Sequence, residues 1–235
     1  MLRLAKISVS VTNGSGLGGS TQTNPAADTD VSRETRASLG AYLETLIKWQ
    51  KAINLVGPAT LADAWTRHVV DSAQIAPLVP TEVKSLADLG TGAGLPGLVL
   101  AALKPALDVT LVESDARKAA FLGEASRRMA LKKQPRILVG RIEAVPPVGA
   151  DVVTARALAP LKQLLIWADR HRSDTAICLF HKGKGWQAEL TEALAGWDIP
   201  YQSHASVTDR DAVILRIGAY RPADLRDRQP EGRRR

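Results

Sequence analysis

The sequence predicts an α/β protein with a seven-stranded, mostly parallel sheet, a C-terminal antiparallel hairpin and helices ahead of the sheet. Two observations predict this class. Strand-like and helix-like segments alternate from Ser85 onward, which is typical of a parallel sheet with helices on its faces. The last two strand candidates are separated only by the short loop 207–211, so we expect them to pair as an antiparallel hairpin.

The composition excludes several kinds of protein. Of the residues, 45% are hydrophobic and 23% charged, and no apolar run approaches the roughly 18 residues that cross a bilayer. The single cysteine, Cys178, excludes an internal disulfide and a cysteine-rich zinc site. We therefore expect a cytoplasmic protein without membrane contact and without a metal. The net charge of +7 is compatible with a polyanionic partner.

Residues 1–30 are rich in Gly, Ser, Thr and Asn, and we expect a disordered extension there. The segment Gly14–Gly19 matches the letters of a dinucleotide-binding turn, but no helical period follows it, so we do not assign a site to it. A helical segment is predicted over 31–80. Its first helix has an apolar stripe from Leu39 to Ile53, and its second spans Leu61–Ile75.

The α/β domain is predicted over 81–220. Its strand candidates are Ser85–Gly90, Asp108–Glu113, Arg136–Gly140, Asp151–Ala155, Thr175–Phe180, Tyr201–Ser206 and Ala212–Ile217. Its helix candidates are Leu95–Leu103, Asp115–Leu131, Leu161–His171 and Trp186–Ala195. A basic tail, 221–235, follows with six arginines and three acidic residues.

Two binding templates overlap on the turn after the first strand of this domain. Gly92–Gly97 fits the dinucleotide fingerprint, and Glu113 lies 21 residues beyond Gly92, where a carboxylate holds a ribose diol. The register Asp88–Gly94 resembles the S-adenosylmethionine (SAM) loop of class I methyltransferases. Both ligands contain an adenosine ribose, so Glu113 does not choose between them. Only 79 residues follow Arg156, which complete one sheet without a second lobe and so favour the methyltransferase.

Four motifs in this order carry a closer resemblance. They are W-x-K-x-I-N-L at 49–55, R-H-x-x-D-S at 67–72, D-L-G-T-G-A-G-L-P-G at 88–97 and A-R-A-x-A-P-L at 155–161. Together they resemble the RsmG family, also called glucose-inhibited division protein B, over residues 31–217. The resemblance implies a class I (Rossmann-like) SAM-dependent methyltransferase fold. It also implies methylation of N7 of one guanine in the 530 loop of bacterial 16S rRNA.

The resemblance also implies the cofactor contacts. It places Gly90, Gly92 and Leu95 on SAM, at the turn and at the start of the next helix. Glu113 would hold the ribose, although many relatives have Asp at this position.

Further cofactor contacts are expected on later strands. The resemblance implies that Ile142 and Glu143 flank and hydrogen-bond the adenine. It places Arg156 near the methionine portion of SAM and the target base. Arg156 ends a strand at the carboxyl edge of the sheet, where ligands of such folds bind.

Substrate contacts are the least specific expectation. The resemblance suggests Arg67 and His68 as contacts to RNA or to the target base, with a locally satisfied histidine as the alternative for His68. Lys182 follows an apolar strand and could reach a phosphate, with a solvated loop as its alternative.

We expect no catalytic base. Guanine N7 carries a lone pair and no proton, so methyl transfer would depend on positioning and pocket electrostatics. The expected partners are 16S rRNA, the small ribosomal subunit or its assembly intermediate, and the protein is expected to be a monomer. Three alternatives remain open: a SAM-dependent methyltransferase with another RNA or other substrate, a non-catalytic nucleotide- or RNA-binding module, and an NAD oxidoreductase.

Overall fold

The computed structural model describes residues 9–11, 22–24 and 31–223. Its strands are β1 (Val9–Val11), β2 (Gln22–Asn24), β3 (Ser85–Leu89), β4 (Asp108–Glu113), β5 (Arg136–Val139), β6 (Ala150–Arg156), β7 (Arg172–Lys182), β8 (Trp197–Asp198), β9 (Tyr201–Ala205), β10 (Val213–Ile217) and β11 (Arg221–Pro222). Apart from β1, β2 and β11, the predicted extension 1–30 and tail 221–235 lie almost wholly outside the described residues. The expectation of disorder in 1–30 stays a prediction.

Seven strands form one sheet in the order β5-β4-β3-β6-β7-β10-β9. Strands β3 to β7 pair in parallel with their neighbours, whereas β10 pairs antiparallel with both β7 and β9. The predicted fold class and the C-terminal hairpin are therefore confirmed. The remaining strands form two short antiparallel pairs, β1 with β2 and β8 with β11, which the sequence pattern did not predict.

The helices are α1 (Arg33–Gln50), α2 (Asp71–Ala73), α3 (Gly97–Leu103), α4 (Ala116–Arg128), α5 (Leu161–His171) and α6 (Trp186–Leu194). The hydroxyl of Ser32 caps α1 by accepting a hydrogen bond from the Thr35 amide. None of the described helices is long and apolar enough to cross a membrane.

The second predicted N-terminal helix, Leu61–Ile75, is not continuous. The chain instead forms a 3-10 helix (Pro58–Asp63), a π-helical turn (Trp65–Val70), the short α2 and another 3-10 turn (Ala76–Leu78). In the π-helical turn, the Arg67 carbonyl accepts a hydrogen bond from the Arg156 side chain, a contact that no local sequence pattern contains. Wide turns of this kind often occur at functional sites.

The sheet is covered by apolar side chains on both faces. On one face, α1 packs against α4 through Tyr42 and Phe121, both fully buried, whose rings meet edge to face at 6.4 Å. On the other, α5 buries Leu161 and Leu165 beside Phe180 of β7. Burying each such side chain stabilises the fold by about 1.5–3 kcal/mol. The Tyr42 hydroxyl also donates to the Ala93 carbonyl at 2.8 Å, which fixes α1 to the turn after β3.

Candidate active site

The candidate site lies where the strand order of the sheet reverses. The chain crosses from β3 to β4 and β5 on one side, and β6 pairs with β3 on the other. The carboxyl ends of β3 and β6 are therefore neighbours at a topological switch point, the place where open α/β sheets bind ligands. The glycine turn follows β3, and Arg156 ends β6.

Asp88 holds the glycine turn from inside the protein. Its carboxylate is fully buried and accepts hydrogen bonds from the Thr91 hydroxyl, the Gly97 amide at 3.0 Å and the Thr154 hydroxyl at 2.8 Å. Burial raises the pKa of Asp88 to about 6, although these hydrogen bonds oppose the shift. The acid of the SAM-loop motif therefore shapes the turn and does not face a ligand.

Three glycines give the turn its conformation. Gly90, Gly92 and Gly94 have φ angles of 58°, 55° and 80°, in the left-handed region that L side chains rarely adopt. A Cβ at Gly90 would overlap Cδ1 of Leu158, so the β6–α5 loop packs directly on this residue. A Cβ at Gly92 would meet only the Gly90 carbonyl, at 3.9 Å, so that side of the turn is open. Leu95 is buried beneath it, with 6% of its surface exposed.

Glu113 ends β4 beside this open side. Its Oε2 accepts from the Gly92 amide at 2.9 Å and its Oε1 from the Asp115 amide at 2.8 Å. Each carboxylate oxygen can accept a second hydrogen bond. The residue is oriented by the backbone and keeps acceptor capacity for two ribose hydroxyls, which fits the group expected here.

The two predicted adenine contacts lie after β5. Ile142 is buried, and its carbonyl bonds to Nε2 of His171 at 2.8 Å. Glu143 is exposed, and its Oε1 accepts from Nε1 of Trp167 at 2.8 Å. The Glu143 carboxylate is thus engaged with α5 in this state, and its contact with adenine stays a prediction.

The Arg156 guanidinium is bound by the N-terminal helical segment. Its Nη2 donates to the Arg67 carbonyl at 2.9 Å and lies 3.2 Å from Nδ1 of His68, while Nη1 lies 3.4 Å from the Ser72 hydroxyl. Nη1 also lies 3.2 Å from Oδ2 of Asp71. Arg156, at the end of β6, therefore joins the sheet to the preceding helical segment. Its expected contacts with SAM and the target base stay predictions.

His68 is buried where Arg156 contacts the helical segment. Only 3% of its surface is exposed, and its Nε2 lies 2.8 Å from the Thr60 hydroxyl. Burial and the nearby Arg156 charge lower the pKa of His68 to about 4, so the ring is neutral at pH 7. A neutral ring whose Nδ1 faces Arg156 accepts there and donates from Nε2. Its predicted contact with RNA stays a prediction, whereas Arg67 beside it is exposed.

Asp71 connects three parts of the site, and the sequence reasoning did not select it. Besides Arg156, its carboxylate accepts from the Thr208 hydroxyl of the β9–β10 loop and from Gln74 Nε2 at 3.0 Å. Its carbonyl bonds to Nε2 of His181, the penultimate residue of β7, at 2.8 Å. The one signal that could have found Asp71 is its place in the R-H-x-x-D-S motif, where an acid follows two basic residues without pairing with them.

Lys182 is mostly buried. Its Nζ pairs with Oε2 of Glu189 on α6 and donates to the Ala159 carbonyl at 3.0 Å, and 8% of its side chain is exposed. The ammonium is thus used within the protein, and a contact with RNA phosphate stays a prediction. Lys184, two residues on, is exposed.

Arg67, Asp71, Arg156 and Lys182 line a cavity of about 570 Å³ at the carboxyl edge of β6 and β7. The other predicted site residues do not line it: Gly90, Gly92, Leu95, Glu113, Ile142, Glu143 and His68. It is lined by Arg67, Asp71, Arg156, Ala157, Leu158, Ala159, Pro160, Leu164, His181, Lys182, Gly183, Glu189, Ser206, Thr208, Asp209, Ala212 and Val213. Its volume is ample for a nucleobase with its ribose, and Leu158 connects it to Gly90 of the glycine turn. No cluster of residues suited to hold a metal ion occurs in the described part of the chain.

The chain is similar to known methyltransferases in sequence and in fold. Residues 35–214 match the GidB family, described as rRNA small subunit methyltransferase G. Two relatives named ribosomal RNA small subunit methyltransferase G are each 50% identical. That from Paramagnetospirillum magneticum aligns with 80% of this chain and 90% of its own length, and that from Rhodospirillum rubrum with 82% and 94%.

A solved structure supports the same fold. The ribosomal protein L11 methylase from Lactobacillus delbrueckii subsp. bulgaricus superposes with a TM-score of 0.54 at 16% identity, over 65% of this chain and 78% of its own. At this identity the likeness concerns the fold alone, which is that of class I SAM-dependent methyltransferases. The family match indicates SAM as cofactor, and the glycine turn and the oriented Glu113 are compatible with it. The chain therefore belongs to the GidB family of small-subunit rRNA methyltransferases and is a SAM-dependent enzyme.

Proposed function

We propose that this enzyme methylates N7 of one guanine in the 530 loop of bacterial 16S rRNA, and that the 570 Å³ cavity receives that guanine. The observation that carries the proposal is the junction at Leu158. This side chain packs on Gly90 of the cofactor turn and also lines the cavity, so the two binding volumes are adjacent. In-line transfer requires such adjacency of donor and acceptor.

The cofactor site is assigned to the turn after β3, the end of β4 and the loop after β5. Glu113 binds the ribose diol, the open side of Gly92 allows close approach of the ligand to the backbone, and Leu95 lies beneath the turn. Ile142 and Glu143 border the adenine. When bound, SAM supplies a sulfonium methyl group, and a C–N bond to N7 forms as the C–S bond breaks.

The chain's own residues position the acceptor. Guanine N7 needs no deprotonation, so no residue is assigned as a general base. The carboxylate of Asp71, with 15% of its side chain exposed, lines the cavity while paired with Arg156. Arg156 fixes Asp71 at the cavity wall, and Arg67 at the rim is free to contact RNA phosphate.

The partner is proposed to be 16S rRNA in the small subunit or in its assembly intermediate. Such a substrate is folded, and a target base in a loop can be turned out and read within a pocket. The enzyme is proposed to act as a monomer in the cytoplasm. Light scattering at micromolar concentration tests the monomer, and a dimer mass would contradict it.

Labelled SAM with naked 16S rRNA, and separately with assembled small subunits, tests the proposed function. Borohydride reduction and aniline cleavage then locate N7-methylguanine by primer extension. We expect one modified guanine in the 530 loop. Transfer to another base, or to no RNA in either substrate, would contradict the proposal. The Glu113→Gln variant, which leaves the cavity intact, is the matched control for cofactor dependence.

A further inference from the structure

The β6–α5 loop, residues 157–160, is held at both ends and contacts the site in its middle. At its start, Arg156 is bound to Asp71 and to the Arg67 carbonyl. At its end, the Ala159 carbonyl accepts from Lys182 Nζ, and the Leu161 amide donates to Oε2 of Glu189 at 2.8 Å. Lys182 and Glu189 pair with each other, so one ion pair secures two backbone groups of the loop.

The middle of this loop has an unfavourable backbone. Ala157 has a φ of 50°, in the left-handed region, which is unfavourable for a residue other than glycine. A strained conformation persists only when its surroundings hold it in place. The two anchors supply that constraint. With the loop held in this conformation, the Leu158 side chain packs on Gly90. A Cβ at Gly90 would overlap the Leu158 side chain.

Leu158 occupies the boundary between two volumes. It packs on the glycine turn on one side and lines the 570 Å³ cavity on the other. A branched apolar side chain at such a boundary excludes water from the reacting atoms and limits where a planar base can lie. Lys182 and Glu189 line the same cavity, and their ion pair also contacts the loop backbone at Ala159 and Leu161.

We infer that Leu158 forms the wall shared by the cofactor turn and the acceptor cavity, and that Lys182 and Glu189 are positioning residues which hold this wall in place. The inference rests on the proposed function, because it assigns the cavity to the acceptor base. It also gives Lys182 a role different from a phosphate contact.

A double-mutant cycle tests the inference. Leu158→Ala removes the wall, Glu189→Gln removes the charge of the anchor, and the third variant combines both. We expect Leu158→Ala to lower kcat by about ten-fold or more and to weaken SAM binding by about five-fold. Glu189→Gln should also lower kcat and weaken SAM binding, each by about the square root of the fold-change seen in Leu158→Ala. If the anchor acts through Leu158, the double variant equals Leu158→Ala alone.

The matched control is Glu192→Gln, an exposed acid one turn further along α6, which should leave kcat and SAM affinity unchanged. Additive losses in the double variant, or a wild-type rate in Leu158→Ala, would overturn the inference. The cycle is also measured by calorimetry of SAM binding, which needs no acceptor. A wild type that binds SAM but does not modify guanine N7 would contradict the proposed function, whereas the calorimetric cycle would still support or overturn the role of Leu158 and its anchor.

Folding is checked separately. All rates are measured at least about 15 °C below the lowest melting temperature, so that every variant is folded during the assay. If Glu189→Gln does not fold, Glu189→Asp replaces it, since the carboxylate is kept but withdrawn by one methylene from the Leu161 amide. Additivity in that cycle would be equally decisive against the inference.

Discussion

Replacement of Asp71 by Asn should separate the role of the carboxylate from the shape of the side chain. The carboxylate pairs with Arg156 at 3.2 Å and accepts from Gln74 and the Thr208 hydroxyl. At an effective dielectric constant of about 20, two unit charges at this separation attract by about 5 kcal/mol. Desolvation offsets much of this energy, because both groups are largely removed from water: only 20% of the Arg156 side chain and 15% of the Asp71 side chain are exposed.

The expected net loss is about 2–3 kcal/mol in the free energy of unfolding. It is smaller than for a fully buried pair, because Arg156 keeps the Arg67 carbonyl, His68 and Ser72 as partners. For a chain of this size the loss corresponds to a fall of about 5–10 °C in melting temperature.

Calorimetry, urea unfolding and single-turnover methylation measure the three consequences. We expect the methylation rate to fall by about ten-fold or more. SAM affinity should change by less than about three-fold, because the proposed ribose ligand, Glu113, lies on β4 whereas Asp71 lies on α2. Asp211→Asn is the matched control, because Asp211 pairs at 3.9 Å with a side chain of Arg210 that is 94% exposed. An Asp71→Asn enzyme with wild-type stability and rate would refute the reasoning.

Three further changes test other contacts. Glu113→Gln should weaken SAM binding by about ten-fold in calorimetry, because a carboxylate accepts from a diol better than an amide; unchanged affinity would remove Glu113 from the site. Gly90→Ala should lower the urea-derived stability by about 1–3 kcal/mol, since φ is 58° and its methyl would overlap Leu158; full stability would show that the loop yields. His68→Gln should reduce acid sensitivity: with a folded pKa of about 4 against 6.5 unfolded, wild type loses up to about 3 kcal/mol as the pH falls from 6.5 to 4. Equal pH profiles for the two proteins would contradict the His68 assignment.

The fold was predictable because its signals are local. Alternation of apolar strands and helices defined the sheet within one or two residues at most strand ends, as for β4, where prediction and structure coincide. The second N-terminal helix was wrong as a single element, since Pro58 starts a 3-10 helix and Arg156 engages the Arg67 carbonyl. Helical periodicity cannot contain a hydrogen bond to a residue 89 positions away.

The candidate site was only partly predictable, for the same reason. Glu113 and the glycines were identifiable because spacing along one strand–turn–helix unit determines their positions. Lys182 was selected for its charge, but its partner Glu189 lies on the next helix and buries the ammonium. Asp71 was not selected, because its partners come from β6, β7 and the β9–β10 loop.

The sequence by itself determined the class of fold, the cofactor turn and the family, because glycine conformation, apolar period and motif order are properties of short stretches. Tertiary structure alone decided which polar groups face a ligand and which hold the scaffold. In the folded protein Asp88 is buried under the glycine turn, Arg156 pairs with Asp71, and Lys182 pairs with Glu189. The physical reason is that a charge is stabilised by whatever opposite charge the fold brings within hydrogen-bonding distance, and that neighbour is set by the packing of distant segments.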